Sequence, residues 1–530
     1  MAKKVIVAGG GLAGLSSAIR LANGGFHVSL FEQNPQLGGK MNERRLNGYR
    51  FDTGPSLLTM PFVLEELFQS IGEELSERIN YIPVEPLCHY RFPDGTHLDA
   101  SADQIKMVDE IARIAPDDVP AYPRFLDYSR RIFELTADLF LWNPIHELAV
   151  SHLPLYLRSL FRLHRIDPFR TVHRAVASYF RDPRLIQLFD RYATYNGSSP
   201  YQAPATLNII PFVEFGLGGY YILGGLYRLV EVLERLAVSL GVEIHRSAPV
   251  EKILHKRGAI TGVRVDGATY GADYVICNVD IVTAYHQLLD NLPHRRQRVT
   301  ALEPSMSGLV FLWGKRGLTQ QLHHHNILFS GDYRREFHQL FDELQAPDDP
   351  TVYIAITSKT DPGDAPAGHE NWFVLVNMPY LNDQQDWPEI VQETRNRIFE
   401  KLKTHGIDIA GKIETERLIT PPDFMRMYGS NLGSIYGIAS NSRHAAFRRH
   451  PNRSRDIKGL YFAGGSVHPG GGIPLVLLSG RIAATLIAER EGISGGNRGT
   501  RRDELSLRGM AEEWIIKHQK QTNNSAYKRG

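Results

Sequence analysis

At 530 residues the chain is too long for one ordinary core, so two or three folding units are expected. Hydrophobic residues at 42% and charged residues at 22% are usual for a globular protein. A formal net charge of +2 gives no global field for nucleic acid, so affinity for a polyanion or a membrane must come from local patches. Two cysteines, Cys88 and Cys277, form no Cys-x-x-Cys motif and read as partly buried thiols in a reducing compartment.

The chain opens on Val5-Ile6-Val7-Ala8, a β-branched run suited to a buried parallel strand. Gly9-Gly10-Gly11-Leu12-Ala13-Gly14 follows at once, with glycine at all three positions of a G-x-G-x-x-G turn. Leu12 to Asn23 then reads as a helix carrying Leu15, Ala18, Ile19 and Ala22 on one face. Each glycine has its own task. Gly9 permits the tight turn, Gly11 lets backbone approach a pyrophosphate, and Gly14 lets helix and strand pack closely. The helix N-terminus offers N–H groups and positive dipole to the phosphates. A second strand, Val28-Ser29-Leu30-Phe31, ends at Glu32, a carboxylate placed to accept hydrogen bonds from an adenosine ribose. With so short a lead into the first strand there is no room for a signal peptide, and no apolar run approaches the ~20 residues of a bilayer span. A cytoplasmic protein, peripherally associated with the membrane, is expected.

Gly38-Gly39-Lys40 comes next, and it resembles the glycine pair with a basic residue found in two-dinucleotide folds of the flavin type. The resemblance implies FAD. No second complete fingerprint for a nicotinamide nucleotide follows, because Gly216-Leu217-Gly218-Gly219 lacks the strand and the spacing. Electrons are therefore expected to reach the flavin from the substrate itself.

Further along, Tyr49-Arg50-Phe51 is a short strand leading to Asp52 and Gly54-Pro55. Residues 151–174 carry Arg158, Arg162, Arg165, Arg170 and Arg174 against the single acid Asp167. On a helix Leu153, Leu157, Leu160 and Phe161 share one face beside a stripe of Arg158, Arg162 and Arg165. Such a helix can lie at a lipid surface or present an ordinary solvated face. Leu223 to Leu240 is an amphipathic helix pattern, and residues 242–280 read as short strands separated by turns. His323-His324-His325 tempts a metal reading, but consecutive residues rarely point at one ion, so no metal is expected. Gly459 to Phe462 is a strand into a glycine-rich turn, and Ile473 to Arg490 a helix. Ile493 to Gly499 reads as a linker, before a short helix with Leu507, Met510 and Trp514 on one side.

Over about residues 4–490 the chain resembles the carotenoid desaturase and oxygenase family of the bacterial phytoene-desaturase type. Four blocks carry this: the fingerprint through Gly39-Lys40; Phe51-Asp52-Thr53-Gly54-Pro55-Ser56; Gly197-Ser198-Ser199-Pro200-Tyr201 with Ala203-Pro204; and Gly464-Gly465-Ser466-Val467-His468-Pro469-Gly470-Gly471-Gly472-Ile473-Pro474. The last block, followed by Leu478-Ser479-Gly480-Arg481, is more similar to the branch that oxidises terminal methyl groups of 4,4'-diapocarotenoids than to the desaturases. Ser56-Leu57-Leu58-Thr59-Met60-Pro61 and the histidines before Asn326 point the same way.

The resemblance implies an α/β fold: a discontinuous Rossmann-type FAD-binding domain, two-dinucleotide-binding and amine-oxidase-like, over 1–70, 223–300 and 425–492. An α+β substrate and membrane-associating domain would take 71–222 and 301–424, and 493–530 would be linker and tail. Cofactor contacts are expected from Gly9, Gly11, Gly14, Glu32, Gly39, Lys40, Val250, Gly464, Gly465 and Ile473. Asp52 would lie near the flavin and take a proton or stabilise charge on an oxidised polyene, or else merely cap its turn. His468 would sit against the isoalloxazine ring as a catalytic or a purely structural residue. The implied partners are a carotenoid and dioxygen or a membrane quinone as electron acceptor. Terminal-methyl oxygenation, desaturation and, more distantly, an amine-oxidase-like reaction remain the alternatives.

Overall fold

The computed structural model describes residues 2–147, 166–442, 449–493 and 506–527, with side chains of the last helix described to Lys517. The arginine stripe at 158, 162 and 165 lies outside the described residues. Its neighbours Asp167 and Arg170 are described and pair with each other.

The strand Lys4–Ala8 is the centre of a five-stranded parallel sheet. Tyr274–Cys277 and then Leu460–Phe462 lie on one side, His27–Phe31 and Glu243–His245 on the other. Its sequence is apolar after Lys4 because both faces are covered. Val5 and Val7 enter the helix-side core, whereas Ile6 enters the core on the opposite face. The neighbour repeats the pattern, with Tyr274 and Ile276 on the helix side and Val275 and Cys277 opposite. A three-stranded antiparallel sheet of Val250–Lys256, Ala259–Val265 and Ala268–Gly271 covers that second face.

Helices Leu12–Asn23, Tyr227–Ser239 and Ile473–Arg490 cover the first face. The first and last pack unusually close. A Cβ on Gly480 would stand 2.3 Å from the Ala13 carbonyl oxygen, and the Ser16 hydroxyl donates to the Leu477 carbonyl at 3.0 Å. Only a residue without a side chain fits at this crossing.

A seven-stranded sheet forms the second body, in the order Ile413–Ile419, Ser307–Arg316, His369–Met378, Val352–Ala355, His325–Leu328, Cys88–Arg91, His97–Ala100. It is antiparallel except where His325–Leu328 runs parallel to Cys88–Arg91. The tail does not hang free. The helix Leu507–Tyr527 is longer than its apolar stripe suggested, and Leu507, Ala511 and Trp514 are buried in the helix-side core. Trp514 donates its indole N–H to the Leu217 carbonyl at 3.2 Å. Both cysteines are fully buried, and burial pushes each thiol up to about 12.

Replacing Gly480 with valine forces the two helices apart. The expected destabilisation is about 1–3 kcal/mol, read as a lower thermal midpoint. An unchanged midpoint would mean that the helices re-space freely.

Candidate functional site

One cavity of about 760 Å³ runs from the glycine-rich end of the parallel sheet to the face of the seven-stranded sheet. At the first end three stretches of chain are pressed together around Asn278. This residue directly follows the strand Tyr274–Cys277, at the carboxyl edge where open α/β sheets bind ligands. Its side-chain amide donates to the Gly9 carbonyl at 3.1 Å. A Cβ on Gly9 would lie 2.8 Å from the Asn278 carbonyl oxygen, and one on Gly464 2.7 Å from Asn278 Oδ1. Gly9 and Gly464 also adopt φ of +107° and +117°, which side chains rarely permit.

The three fingerprint glycines separate as their tasks require. Gly11 lines the cavity, and a Cβ there would meet only Asn278 Nδ2 at 3.0 Å, so its freedom lies on the ligand side. Gly14 does not line the cavity among the described residues. A Cβ there would stand 2.1 Å from the Gly9 carbonyl oxygen, so it serves helix–strand packing and not cofactor contact.

Glu32 lines the cavity and is buried. Its Oε2 accepts from the Gly10 amide at 2.8 Å, and its Oε1 from the backbone and side-chain amides of Asn34 at 2.9 Å each. The carboxylate thus ties the turn down while keeping lone-pair capacity for a hydroxyl. Gly38 joins the same turn through its amide to the Gly10 carbonyl at 2.9 Å, which sets Gly39 opposite Gly11. Gly39, Lys40, Val250, Gly464, Gly465 and Ile473 all line the cavity.

Lys40 is half-buried, its ammonium donating to the Ile435 and Ser434 carbonyls at 2.6 and 3.2 Å. Burial pulls it down to about 8 against the opposing attraction of Asp280, whose carboxyl burial pushes up.

Asp52 is not at the cavity. Among the described residues lining it are Thr53, Gly54, Pro55 and Ser56, but not Asp52. Its carboxylate is taken by Arg50 at 2.9 and 3.1 Å, the Tyr221 hydroxyl at 3.2 Å and the Leu226 amide at 3.1 Å. Arg50 in turn forks onto Asp364 at 2.5 and 2.6 Å. The carboxylate is buried and fully partnered, and it positions the strand Tyr49–Asp52.

His468 does line the cavity. Its Nε2 lies 2.9 Å from the Asn143 carbonyl, which it can only approach as a donor. Its own carbonyl accepts from Ser479 Oγ at 2.8 Å and Asn452 Nδ2 at 2.9 Å. Burial holds the imidazole at about 3, so it is neutral at physiological pH and carries no spare proton.

Sequence reasoning missed Asn278, and it missed Arg449, for which the sequence offers no signal. Arg449 is buried and lines the cavity, donating to Gly465 O, Asn196 Oδ1 and Ser440 Oγ at 3.1, 3.0 and 3.4 Å. It has no carboxylate partner among the described residues, and burial lowers it to about 10.

Of the histidine run, His324 and His325 are buried, and His325 lines the cavity. His323 instead meets His89 and Asp99, with ligand atoms all within 4.8 Å of one another. His89 has both ring nitrogens engaged, Nδ1 with Asp99 at 2.6 Å and Nε2 with the Arg91 guanidinium at 3.1 Å. A fixed cation at that distance opposes a metal ion.

The glycine geometry separates two substitutions. Gly11→Val is expected to leave a folded protein without its dinucleotide, read as lost flavin absorbance at a nearly intact circular dichroism spectrum. Gly14→Val is expected to lower the thermal midpoint itself. Equal dinucleotide retention by Gly11→Val and wild type would contradict the site.

The cradle fits an FAD: glycine turns open to the ligand and a helix N-terminus at its edge. The chain is similar over 489 residues, 41% identical, to a 1-hydroxycarotenoid 3,4-desaturase of Flavobacterium sp., covering 92% of this chain and 99% of that one. It is 38% identical to a 4,4'-diapolycopene oxygenase of Methylomonas sp (91% and 97% covered). It is 36% identical to a 4,4'-diaponeurosporene oxygenase of Staphylococcus haemolyticus (92% and 97%). Among solved structures, a putrescine oxidase variant shares the fold with TM-score 0.62 at 14% identity, over 92% of this chain and 99% of that one. A cyclohexylamine oxidase from Brevibacterium oxydans does so with TM-score 0.59 at 15% identity, over 93% and 100%. The model of the flavin containing amine oxidoreductases matches residues 12–488, and the chain belongs to that family as an FAD-dependent oxidoreductase.

Proposed function

We propose that this enzyme oxidises a carotenoid, taking the terminal methyl group of a 4,4'-diapocarotenoid to the aldehyde. The observation that carries the reading is the continuity of the cavity. Beyond the glycine turns it is lined by Val310, Ile327, Phe373 and Leu375 of the seven-stranded sheet and by Ile209 and Val213. Walls of this kind suit a long hydrocarbon with almost no polar handles. Two of the three relatives named above are diapocarotenoid oxygenases.

FAD, when bound, would supply a two-electron acceptor for a hydride equivalent from an allylic carbon; the aldehyde requires two such oxidations, with water supplying the oxygen atom and dioxygen or a membrane quinone taking up the electrons each time. The chain's part is to place one carbon and keep the rest dry. Which carbon reaches the glycine-rich end is decided by the apolar walls. Asp52 has its carboxylate fully partnered and His468 has its ring N–H committed to Asn143, so acid–base work is assigned to neither. Their part is to hold the turns that form the cradle.

The nearest second reading, desaturation, is supported by the 41% identical desaturase.

Peripheral attachment to a membrane belongs to the same proposal. Ile166 and Pro168 line the cavity while the adjoining Phe169 is 70% exposed, which suits entry of a lipid-dissolved substrate. No helix among the described residues is long and apolar enough to cross a membrane.

Incubation with a fully conjugated 4,4'-diapocarotenoid and with its more saturated precursor, followed by mass spectrometry, tests the reaction. The expected product is conjugated and has gained oxygen. A product that has only lost hydrogens, formed from the saturated substrate alone, would replace oxygenation with desaturation.

A further inference from the structure

The cavity wall is not uniformly apolar. Arg191 is buried there, its Nη2 donating to the Tyr90 hydroxyl at 2.6 Å and lying 3.5 Å from Glu214 Oε1. The rings of Tyr90, Tyr192 and Tyr195 flank its guanidinium at 5.3, 4.4 and 5.2 Å. Glu214 accepts from the Tyr192 hydroxyl at 2.8 Å and from that of Tyr195. Such a buried pair contributes little net stability compared with apolar residues of the same volume.

Three polar groups beside it remain unused. Arg191 Nε, the Tyr333 hydroxyl and His325 Nε2 are buried and find no hydrogen-bond partner among the described residues. The three residues are 8%, 6% and 3% exposed, and all line the same cavity. Buried polar groups are normally matched, and a hydrocarbon chain cannot match these. His325 Nδ1 stands 2.8 Å from the Tyr353 hydroxyl. With Tyr353 donating there, Nε2 carries the ring proton, and burial keeps the ring neutral. The wall therefore offers an N–H from Arg191, an N–H from His325 and an O–H from Tyr333, all donors toward an oxygen.

We propose that Arg191, His325 and Tyr333 form a second, polar subsite that binds an oxygen-bearing end group, a hydroxyl or a carbonyl, of the carotenoid. The inference rests on the carotenoid reading and narrows it. The preferred substrate has already been oxygenated at one end, by hydration or oxidation of that end.

The test uses the FAD-loaded full chain and three polyenes of equal length and conjugation: the hydrocarbon, its end hydroxyl and its end aldehyde. KM and kcat are measured separately for wild type and for Tyr333→Phe. That substitution removes a hydroxyl with no partner among the described residues, so bound flavin and thermal midpoint should persist. At least one oxygenated polyene is expected to show a KM about tenfold or more below that of the hydrocarbon, one tenfold step being ~1.4 kcal/mol. Which of the two shows it distinguishes hydroxyl from carbonyl. In Tyr333→Phe the ratio should fall several-fold towards one. Equal KM for all three polyenes in wild type, or an unaltered ratio in Tyr333→Phe, would overturn the subsite alone. Turnover of none of the three would overturn the carotenoid reading and the subsite with it.

Discussion

Backbone crowding around Asn278 is the constraint on which the rest of the site depends. The first turn, the end of the strand Tyr274–Cys277 and the turn after Leu460–Phe462 approach so closely that Gly9 and Gly464 have no room for a Cβ. Gly14 against Gly9 and Gly480 against Ala13 repeat the arrangement one layer out. This close packing points the N-terminus of Leu12–Asn23 into the cavity and leaves backbone amides, not side chains, as the cradle. Pyrophosphate recognition by backbone and helix dipole is a consequence of that geometry.

A second constraint links the two sheets. Arg50, between Asp52 and Asp364, is a buried cation with a carboxylate on each side, and Asn371 Nδ2 donates to its carbonyl at 2.6 Å. Removing one member of such a cluster leaves an uncompensated charge and typically costs about 3–5 kcal/mol. The strand Tyr49–Asp52 is thereby held to the loop around Asp364 and to the start of Tyr227–Ser239. Thr53 to Ser56, the next residues, become part of the cavity wall. Asp52 matters through position, by fixing the path of Thr53 to Ser56 along that wall.

The parts legible in the sequence were those set by local rules. The helix Leu12–Asn23 and the strand ending at Glu32 are given by periodicity and glycine spacing, and the helix Ile473–Arg490 was equally plain. The features that escaped depend on partners distant in the chain. Asp52 reads as an acid beside the flavin or a turn cap until Arg50, Tyr221 and Leu226 are found around it. His468 reads as a titratable histidine until Asn143, 325 positions away, takes its N–H. Arg449 carries no local mark at all. The histidine run misleads because its members point to different places, His323 to Asp99 and His325 to the cavity. The tail helix was foreseen from Leu507, Met510 and Trp514, but its seat on Leu217 was not.

The central claim is that a carotenoid in this cavity delivers electrons to a flavin held by the glycine turns. Anaerobic mixing of the FAD-loaded enzyme with a 4,4'-diapocarotenoid, followed by absorbance, tests it most directly. The account predicts that the oxidised flavin band bleaches on mixing and returns when dioxygen or a quinone is admitted. A flavin that stays oxidised with bound carotenoid, or that is bleached by an amine and not by the carotenoid, would contradict it.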